Sequence, residues 1–538
     1  MIPAALLVVS IPLVGAVLAY ALRRWQGIEI AVAVLACAGV VALLAQPLDS
    51  KIALPGISVG IELGAPFEVL GRVMRVRAAE RIPILLLFVC AAALFVLSWR
   101  APQGWSFVPI GLVVLAAASL ALMIRPFVYA ALAFEGAAAL AALMIQAERG
   151  GERSTLGALR YLSTTTLALP LFLFAGWSID RAGTVNLNDA AALATAYGPA
   201  TVLLIGGFGL MIGAVPLYTW VHPVARDAPP LVTAFVATVG VGAVCFLLLD
   251  FWQAYEWLRV GAQAADALAV GGIALLIFGG ALAWAQKSFA RVMACALLVE
   301  IGCALLVMSR GAQLSVEALT FATMARMLSL GVFGLGVWRL RALRSSDAFA
   351  DVRGVRDLWT VMALGVGGLS LAGFPGTLGF VSRWSAARAY GVADAEGLAL
   401  LLVASASVGV GVGRGLIAMF DAPCVEVVEE TGVGAPVSAQ MALFPERVLA
   451  FGDEAKATSA PVDSSPTPDA PPLLAGETLI EGEVLQEDMQ RPVVVKLDSL
   501  GARLMIGTSV AAVIIFGIWP GIIAALAKAA AAQYTFYP

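Results

Sequence analysis

The run LLIGGFGLMIGAVPLYTW, residues 203–220, is apolar almost throughout, yet it carries four glycines ahead of Pro216. A second run, LGVGGLSLAGFPGTLGFVSRW at 364–384, repeats the arrangement with six glycines and Pro375. Proline removes a backbone donor and clashes with the preceding turn, and clustered glycine lets a helix unwind. Both runs therefore predict membrane-spanning helices that are interrupted along their length. Interrupted spans at matching places in two halves of a chain are the mark of an inverted-repeat transporter fold with its site at the breaks.

Composition agrees with a membrane reading. Of the 538 residues, 61% are hydrophobic and 13% charged, where soluble domains average about 25% charged. A soluble globular protein and a disordered one are both excluded. Apolar runs recur that are long enough to cross a hydrocarbon core about 30 Å thick. The expected fold is all-α and polytopic. About fourteen spans are read, at 2–22, 28–46, 82–99, 106–124, 127–147, 156–178, 198–221, 230–251, 268–285, 291–308, 315–338, 358–384, 397–420 and 504–528. The N-terminal stretch lacks a basic region before its apolar run and reads as a first span, not a cleaved signal. The interrupted runs are spans seven and twelve. Spans four to eight (106–251) and nine to thirteen (268–420) are then two inverted five-helix repeats, because an odd repeat length reverses orientation. The N-terminal spans with the loop 47–81 occupy 1–125, and the last span lies in 501–538.

Charge is unevenly spread. Residues 421–500 hold 15 acids against four bases, a balance of −11, while the remainder carries +8. This acidic insert contains APVDSSPTPDAPPLLAG, whose composition favours a loose chain. The flanking pieces 424–430 and 441–451 read as small ordered elements. Leaving out the connection after span thirteen, Lys and Arg in or at the edges of the connections after odd-numbered spans number 14, against ten after even-numbered ones. That bias places the odd connections and the insert in the cytoplasm and both termini outside, in an inner membrane of bacterial or archaeal type. Residues 62–80 alternate apolar and charged positions and read as an interfacial or short loop helix, and 339–357 read as a charged linker.

Ionisable groups inside apolar runs are expensive, at least about 2.5–3.5 kcal/mol at the bilayer centre, so each needs a reason. Glu135, Glu300 and Arg326 are deep in spans five, ten and eleven and mark a candidate polar pathway. Arg383 and Arg414 lie nearer span ends, where snorkelling or structural pairing stands level with a role in the pathway, and Arg383 is kept as a fourth pathway candidate. His222, the single histidine, reads as a helix-end residue. The six cysteines form no CxxC pair, five of them lie in apolar runs, and they read as small buried hydrophobes. No nucleotide loop, nucleophile–base arrangement or metal cluster stands out, so neither cofactor nor metal is expected, and no nucleic acid.

The segment MIGAVPLYTWVHPVARDAPPLVTAFVAT (211–238) is similar to the span-seven signature of the proton-translocating antiporter-like subunits. These occur in respiratory complex I, Mrp-type sodium/proton antiporters and membrane-bound hydrogenases. AFEGAAAL around Glu135, AQKSFARVMACALLVEIG (285–302) and SLAGFPGTLGFVSRW (370–384) agree in order. The likeness covers roughly residues 80–420 and the last span. It is nearest to the N-like subunit of complex I or the D-like subunit of Mrp. In that family a Glu in span five pairs with a Lys in span seven, and protons pass a Lys in span eight toward a Lys or Glu in span twelve. Glu135 matches the first position and Arg383 the last. The two central lysines fall on Met211 and Val241. A family histidine falls on Glu300, Arg326 sits where some members have a span-eleven Lys, and a Pro-Asp pair becomes His222-Pro223.

The resemblance implies a membrane subunit of a complex I-like (NADH:quinone oxidoreductase-type) assembly, without a redox centre of its own. The partners it implies are other membrane subunits and the lipid bilayer, and the acidic charge of 421–500 suits the docking of a basic cytoplasmic partner. Loss of both lysines leaves two outcomes open: proton movement by a modified route through Glu135, Glu300 and water, or a non-pumping anchoring subunit. A stand-alone cation/proton carrier is the weaker third.

Overall fold

The computed structural model describes residues 2–534 apart from 54–59, 70, 126–127, 147, 150–151, 154, 184, 186–188, 261, 312, 391–394, 422–496 and 498. The chain divides into two units, one of Met1–Pro423 with Val495–Pro538 and one of Cys424–Val494. The second unit, with the elements read at 424–430 and 441–451, lies outside the described residues.

The first unit is a helical bundle. Among the described residues, eleven helices are long and apolar enough to cross a membrane, and four shorter apolar helices accompany them. In chain order the helices begin with α1 (Ala4–Ala21), α2 (Gln26–Ala45), α3 (Ala78–Ser98), α4 (Phe107–Met123), α5 (Val128–Ile145), α6 (Leu156–Ala182) and α7 (Ala190–Ile212). There follow the short α8 (Val221–Asp227) and α9 (Pro230–Phe235), then α10 (Val241–Ala254) and the short α11 (Glu256–Val260). The second half holds α12 (Ala262–Ala285), α13 (Phe289–Met308), α14 (Gln313–Arg344), α15 (Leu358–Leu371), α16 (Leu378–Tyr390) and α17 (Ala395–Phe420). α18 (Leu500–Ile518) and α19 (Gly521–Ala531) close it. The stretch α9–α10, with α13 and α14, is almost wholly buried and forms the core, whereas α1, α6 and α18 turn large apolar side chains such as Val17, Phe174 and Ile515 outward. A bundle with an apolar rim and a packed centre is an integral membrane protein, since lipid is the only solvent that such a rim suits.

Both glycine–proline runs are broken helices. α7 stops at Gly213 with φ of 80°, and the chain then passes a cis Val215–Pro216 bond and a 3₁₀ turn at Tyr218–Trp220 before α8. The second run stops after Leu371, with Gly373 at φ 71° and Gly376 at φ 85°, before α16. Positive φ is a glycine conformation, and it ends a helix by turning the chain away from the axis. A third irregularity was not visible in the sequence: between α9 and α10, residues Val236–Gly240 form a π turn.

Several expectations need correction. Residues 62–80 are not a helix: Phe67–Val69 and Arg72–Met74 are antiparallel strands, the second also paired with Ile124–Arg125, and α3 begins only at Ala78. Alternation every second residue is the period of a strand, and the turn at Gly71 (φ 71°) permits the hairpin. The linker read at 339–357 is partly helix, because α14 runs on to Arg344. Arg339 is 1% exposed and pairs bidentately with Asp357 at 2.6 and 3.0 Å. Burial pushes the Asp357 carboxyl up, but the hydrogen bonds from Arg339 and Thr360 outweigh it and hold it at about 2. The last span, read as 504–528, is two helices separated at Trp519–Pro520, since proline cannot continue α18.

The break before α16 gives a first test. A Cβ on Gly373 would lie 2.7 Å from Arg383 Cγ, on a residue already at positive φ. Gly373→Ala is expected to cost about 1–2 kcal/mol from backbone strain alone, and to displace Arg383. The thermal midpoint of the protein in detergent should fall clearly below that of Gly376→Ala, whose added Cβ meets open space and which carries only the backbone term.

Candidate polar site in the bundle

Glu300, Arg326 and Arg383 come together. Glu300 projects from α13 at 3% exposure, Arg326 from α14 at 0% and Arg383 from α16 at 7%. Arg326 Nε lies 3.6 Å from Glu300 Oε2, and Arg383 Nη2 lies 3.3 Å from Glu300 Oε1. One carboxylate thus faces two guanidinium groups, and Arg383 is paired inside the bundle instead of snorkelling.

Each arginine has a second anchor. Arg326 Nη1 donates to the Ala237 carbonyl at 3.1 Å, inside the π turn. Arg383 Nη2 donates to the Leu371 carbonyl at 3.4 Å, at the last residue of α15. A π turn shifts the hydrogen-bond register and a helix end leaves carbonyls without intrahelical donors, so both irregularities offer acceptors that straight helices lack. At the matching break of α7 the Leu210 carbonyl is taken by Trp220 Nε1 at 3.3 Å. Beside the cluster, Glu300, Cys303, Ser382 and Arg383 line a cavity of about 10 Å³, room for about one water. Ser329 and Ser370 share a hydrogen bond of 2.7 Å, and Ser370 Oγ accepts from the Gly379 amide at 3.1 Å, fastening α14 and α15 to the start of α16.

Met211 and Val241 also meet, in an apolar pocket of about 20 Å³ shared with Phe134, Tyr161, Thr165 and Phe235. Glu135 is not among its lining residues. Its neighbours Phe134 and Ala138 face the pocket, whereas its Oε1 accepts from Thr166 at 2.5 Å on the outward side of α6. Among the described residues Glu135 forms no ion pair. Arg414 is exposed and bonds the Trp284 carbonyl, as a snorkelling residue does.

A second charge cluster escaped the sequence reading. Glu80 receives Arg77 at 2.6 Å and Arg125 at 2.5 Å, and the same Arg125 nitrogen lies 3.8 Å from Asp250 Oδ2. Tyr534 donates to Asp250 Oδ1 at 3.2 Å. The signal was available, since Asp250 is an acid inside the apolar run LLLDFW, 247–252.

His222 is a packed residue of α8 more than a cap. Its Nε2 lies 3.5 Å from Cys295 Sγ, and its ring meets Tyr218. Burial, and then the Arg291 charge, lower its pKa below the ordinary value.

Residues 126–408 match the family described as NADH:quinone oxidoreductase/Mrp antiporter, TM. A NADH-quinone oxidoreductase subunit N from Methylovorus glucosotrophus is 25% identical over 333 residues, 57% of this chain and 68% of that one. The chain spans only about half the length of other relatives that it matches, 51% and 49% of two further subunit N proteins. The fold is that of a chain in the Mrp complex from Dietzia sp. DQ12-45-1b, with a TM-score of 0.71 at 17% identity, covering 99% of this chain and 97% of that one. A chain of Thermus thermophilus respiratory complex I with bound NADH gives 0.64 at 19% identity, covering 99% and 100%.

Two tests follow from this geometry. Glu300→Gln leaves two buried guanidinium groups without their anion, and is expected to lower stability by about 3–5 kcal/mol; a melting curve of the purified protein measures this. For His222 the folded value lies below the unfolded one near 6.5. Its contribution is therefore complete above that pH and is lost as pH falls below it, because the unfolded chain binds the proton more readily. His222→Gln should flatten the decline of the melting midpoint between pH 7 and 5.

Proposed function

The chain belongs to the NADH:quinone oxidoreductase/Mrp antiporter membrane family, and we propose that it is an antiporter-type subunit of a multi-subunit, complex I-like assembly in a bacterial inner membrane, with its central proton path closed. The observation that carries the subunit reading is Glu135. It sits at mid-span on α5, half-buried, with Thr166 as its hydrogen-bond partner. A carboxylate turned to lipid costs at least about 2.5–3.5 kcal/mol. The outward side of α6 also presents Leu167, Phe174 and Trp177 at about 60% exposure, an apolar surface suited to another membrane subunit.

Closure of the path rests on two features of the interior. Where the family has its central lysines, Met211 and Val241 line a mostly apolar pocket whose polar side chains, among the described residues, are the hydroxyls of Tyr161 and Thr165. Further along, Glu300 is bound by two guanidinium groups, and a guanidinium does not give up its proton at accessible pH. A relay needs groups that take and release protons in turn, and these positions hold none in sequence. The anchoring role thus fits the geometry better than conduction through Glu135 and Glu300. We place the two broken helices as equivalent members of two inverted five-span repeats, 106–251 and 268–420, a reading supported by the left-handed glycine and following proline at both breaks. Both termini are assigned to the outside and the acidic insert 421–500 to the cytoplasm, where it would dock a basic partner.

The deciding experiment isolates the intact complex in mild detergent, identifies its subunits by mass spectrometry, and reconstitutes it in vesicles with a pH-sensitive dye. Co-isolation with quinone-reductase or other antiporter-like subunits is expected, and proton movement per turnover should be unchanged by Glu135→Gln and by Glu300→Gln. Reduced pumping in either variant, with assembly intact, overturns the closed path. Recovery of the chain alone overturns the subunit reading. Deletion of 455–475 should release one soluble partner while leaving membrane insertion as it was.

A further inference from the structure

A second pocket lies away from both clusters, between α7, α10, α12 and α13. Its cavity is about 70 Å³, and its wall includes Leu204, Phe208, Leu248, Trp252, Leu268 and Leu305. Among the described residues, Thr201 is the only one lining it with a polar side chain besides the Trp252 indole. The pocket opens sideways between α7 and α12, where the lining residue Ile205 is 39% exposed. In a membrane-spanning bundle, that side faces the hydrocarbon.

One end of the pocket is marked as the level of the lipid headgroups. Leu258 of α11 lines it, and around α11 Tyr197 stacks on Trp257 at 4.7 Å while Tyr255 meets the same ring at 5.8 Å. Aromatic rings with polar edges gather at the membrane–water interface. Both charge signs occur there. Arg259 Nη1 is held by the carbonyls of Trp252 and Gln253 at 3.1 and 2.9 Å, and Glu256 is exposed three residues before it. A fixed guanidinium meets a phosphate and a carboxylate meets an ammonium. A uniformly anionic headgroup would find the carboxylate opposed to it.

We propose that this pocket holds the end of one acyl chain of a zwitterionic phospholipid whose headgroup lies against Glu256 and Arg259. Hydrocarbon inside the cleft fills space that the helices leave unpacked, and a phosphoethanolamine group matches the charges at its mouth. The opposite wall is formed by Gly209, Ile212 and Ala214, which flank the break of α7, so the chain braces the elbow at Gly213. This inference does not depend on whether the path through the bundle conducts.

The test uses the full protein in nanodiscs containing a phosphatidylethanolamine with a diazirine near the end of its acyl chain. After photolysis, adducts are located by peptide mass spectrometry. They are expected on 201–214 and 264–271, and Gly271→Leu, which fills the cleft toward Leu305, should lower them roughly tenfold. Gly271→Ala is the folding control: its Cβ meets Leu305 Cδ1 at an ordinary 3.8 Å, and labelling should persist. The same probe with a phosphatidylglycerol headgroup should label these peptides less. Adducts spread evenly over the outer helices, or unchanged by Gly271→Leu, overturn the site. Equal labelling by both headgroups overturns the zwitterionic assignment, and displacement of the probe by a long-chain quinone overturns the phospholipid.

Discussion

A negative charge buried in the middle of a helical bundle has to be answered, and here the answer to Glu300 organises much of the second half of the fold. Two guanidinium groups approach it from different helices, and each is itself held by a carbonyl that a regular helix would not offer. The irregular backbone and the buried charges are thus one arrangement. The π turn exposes Ala237 to Arg326, the end of α15 exposes Leu371 to Arg383, and the carboxylate joins the two. Five helical segments are tied through three side chains. Such a knot contributes specificity of packing more than net stability, because desolvation of the ions offsets most of their attraction.

The same economy separates this chain from what its likeness to translocating subunits implies. The scaffold of such a subunit is intact: broken helices, a buried ionic centre, and a glutamate on α5. The interior is divided differently. Glu135 bonds Thr166, the pocket that holds Met211 and Val241 is mostly apolar, and the ionic centre is occupied by arginine. Replacing lysine by a guanidinium exchanges a group that can trade its proton for one that cannot. In the proposed matching of Met211 and Val241 to the family's central lysines, the neighbours with which an exchange would be coupled are absent.

How much of this was legible in the sequence depends on the range of the interaction concerned. The two helix breaks were readable because their cause is local: glycine and proline act on the residues beside them. Glu300, Arg326 and Arg383 were readable one at a time as charges in apolar runs. Their pairing was not, since Arg326 and Arg383 come from different helices and the sequence carries no angle between them. The π turn left no local trace, because VATVG is an ordinary apolar helix sequence and the extra residue is accommodated by the Arg326 contact. The hairpin at 67–74 was misread for a different reason: short alternating segments fit a helix face and a strand equally until a partner strand, here Ile124–Arg125, decides.

The cluster around Asp250 bears on how the bundle comes to be built. Glu80, Arg125 and Asp250 are all translated long before Tyr534, whose hydroxyl bonds Asp250 across 284 residues of chain. At a synthesis rate of about 5–20 residues per second, the acid waits roughly 15–60 s for that hydroxyl, while the second half of the bundle and the acidic insert emerge. During that interval its only fixed partner among these groups is a guanidinium already engaged by Glu80. The closing tyrosine therefore acts late, as a latch on a nascent bundle, and a ribosome stalled within the insert would leave a membrane intermediate with one side of its charge cluster still open.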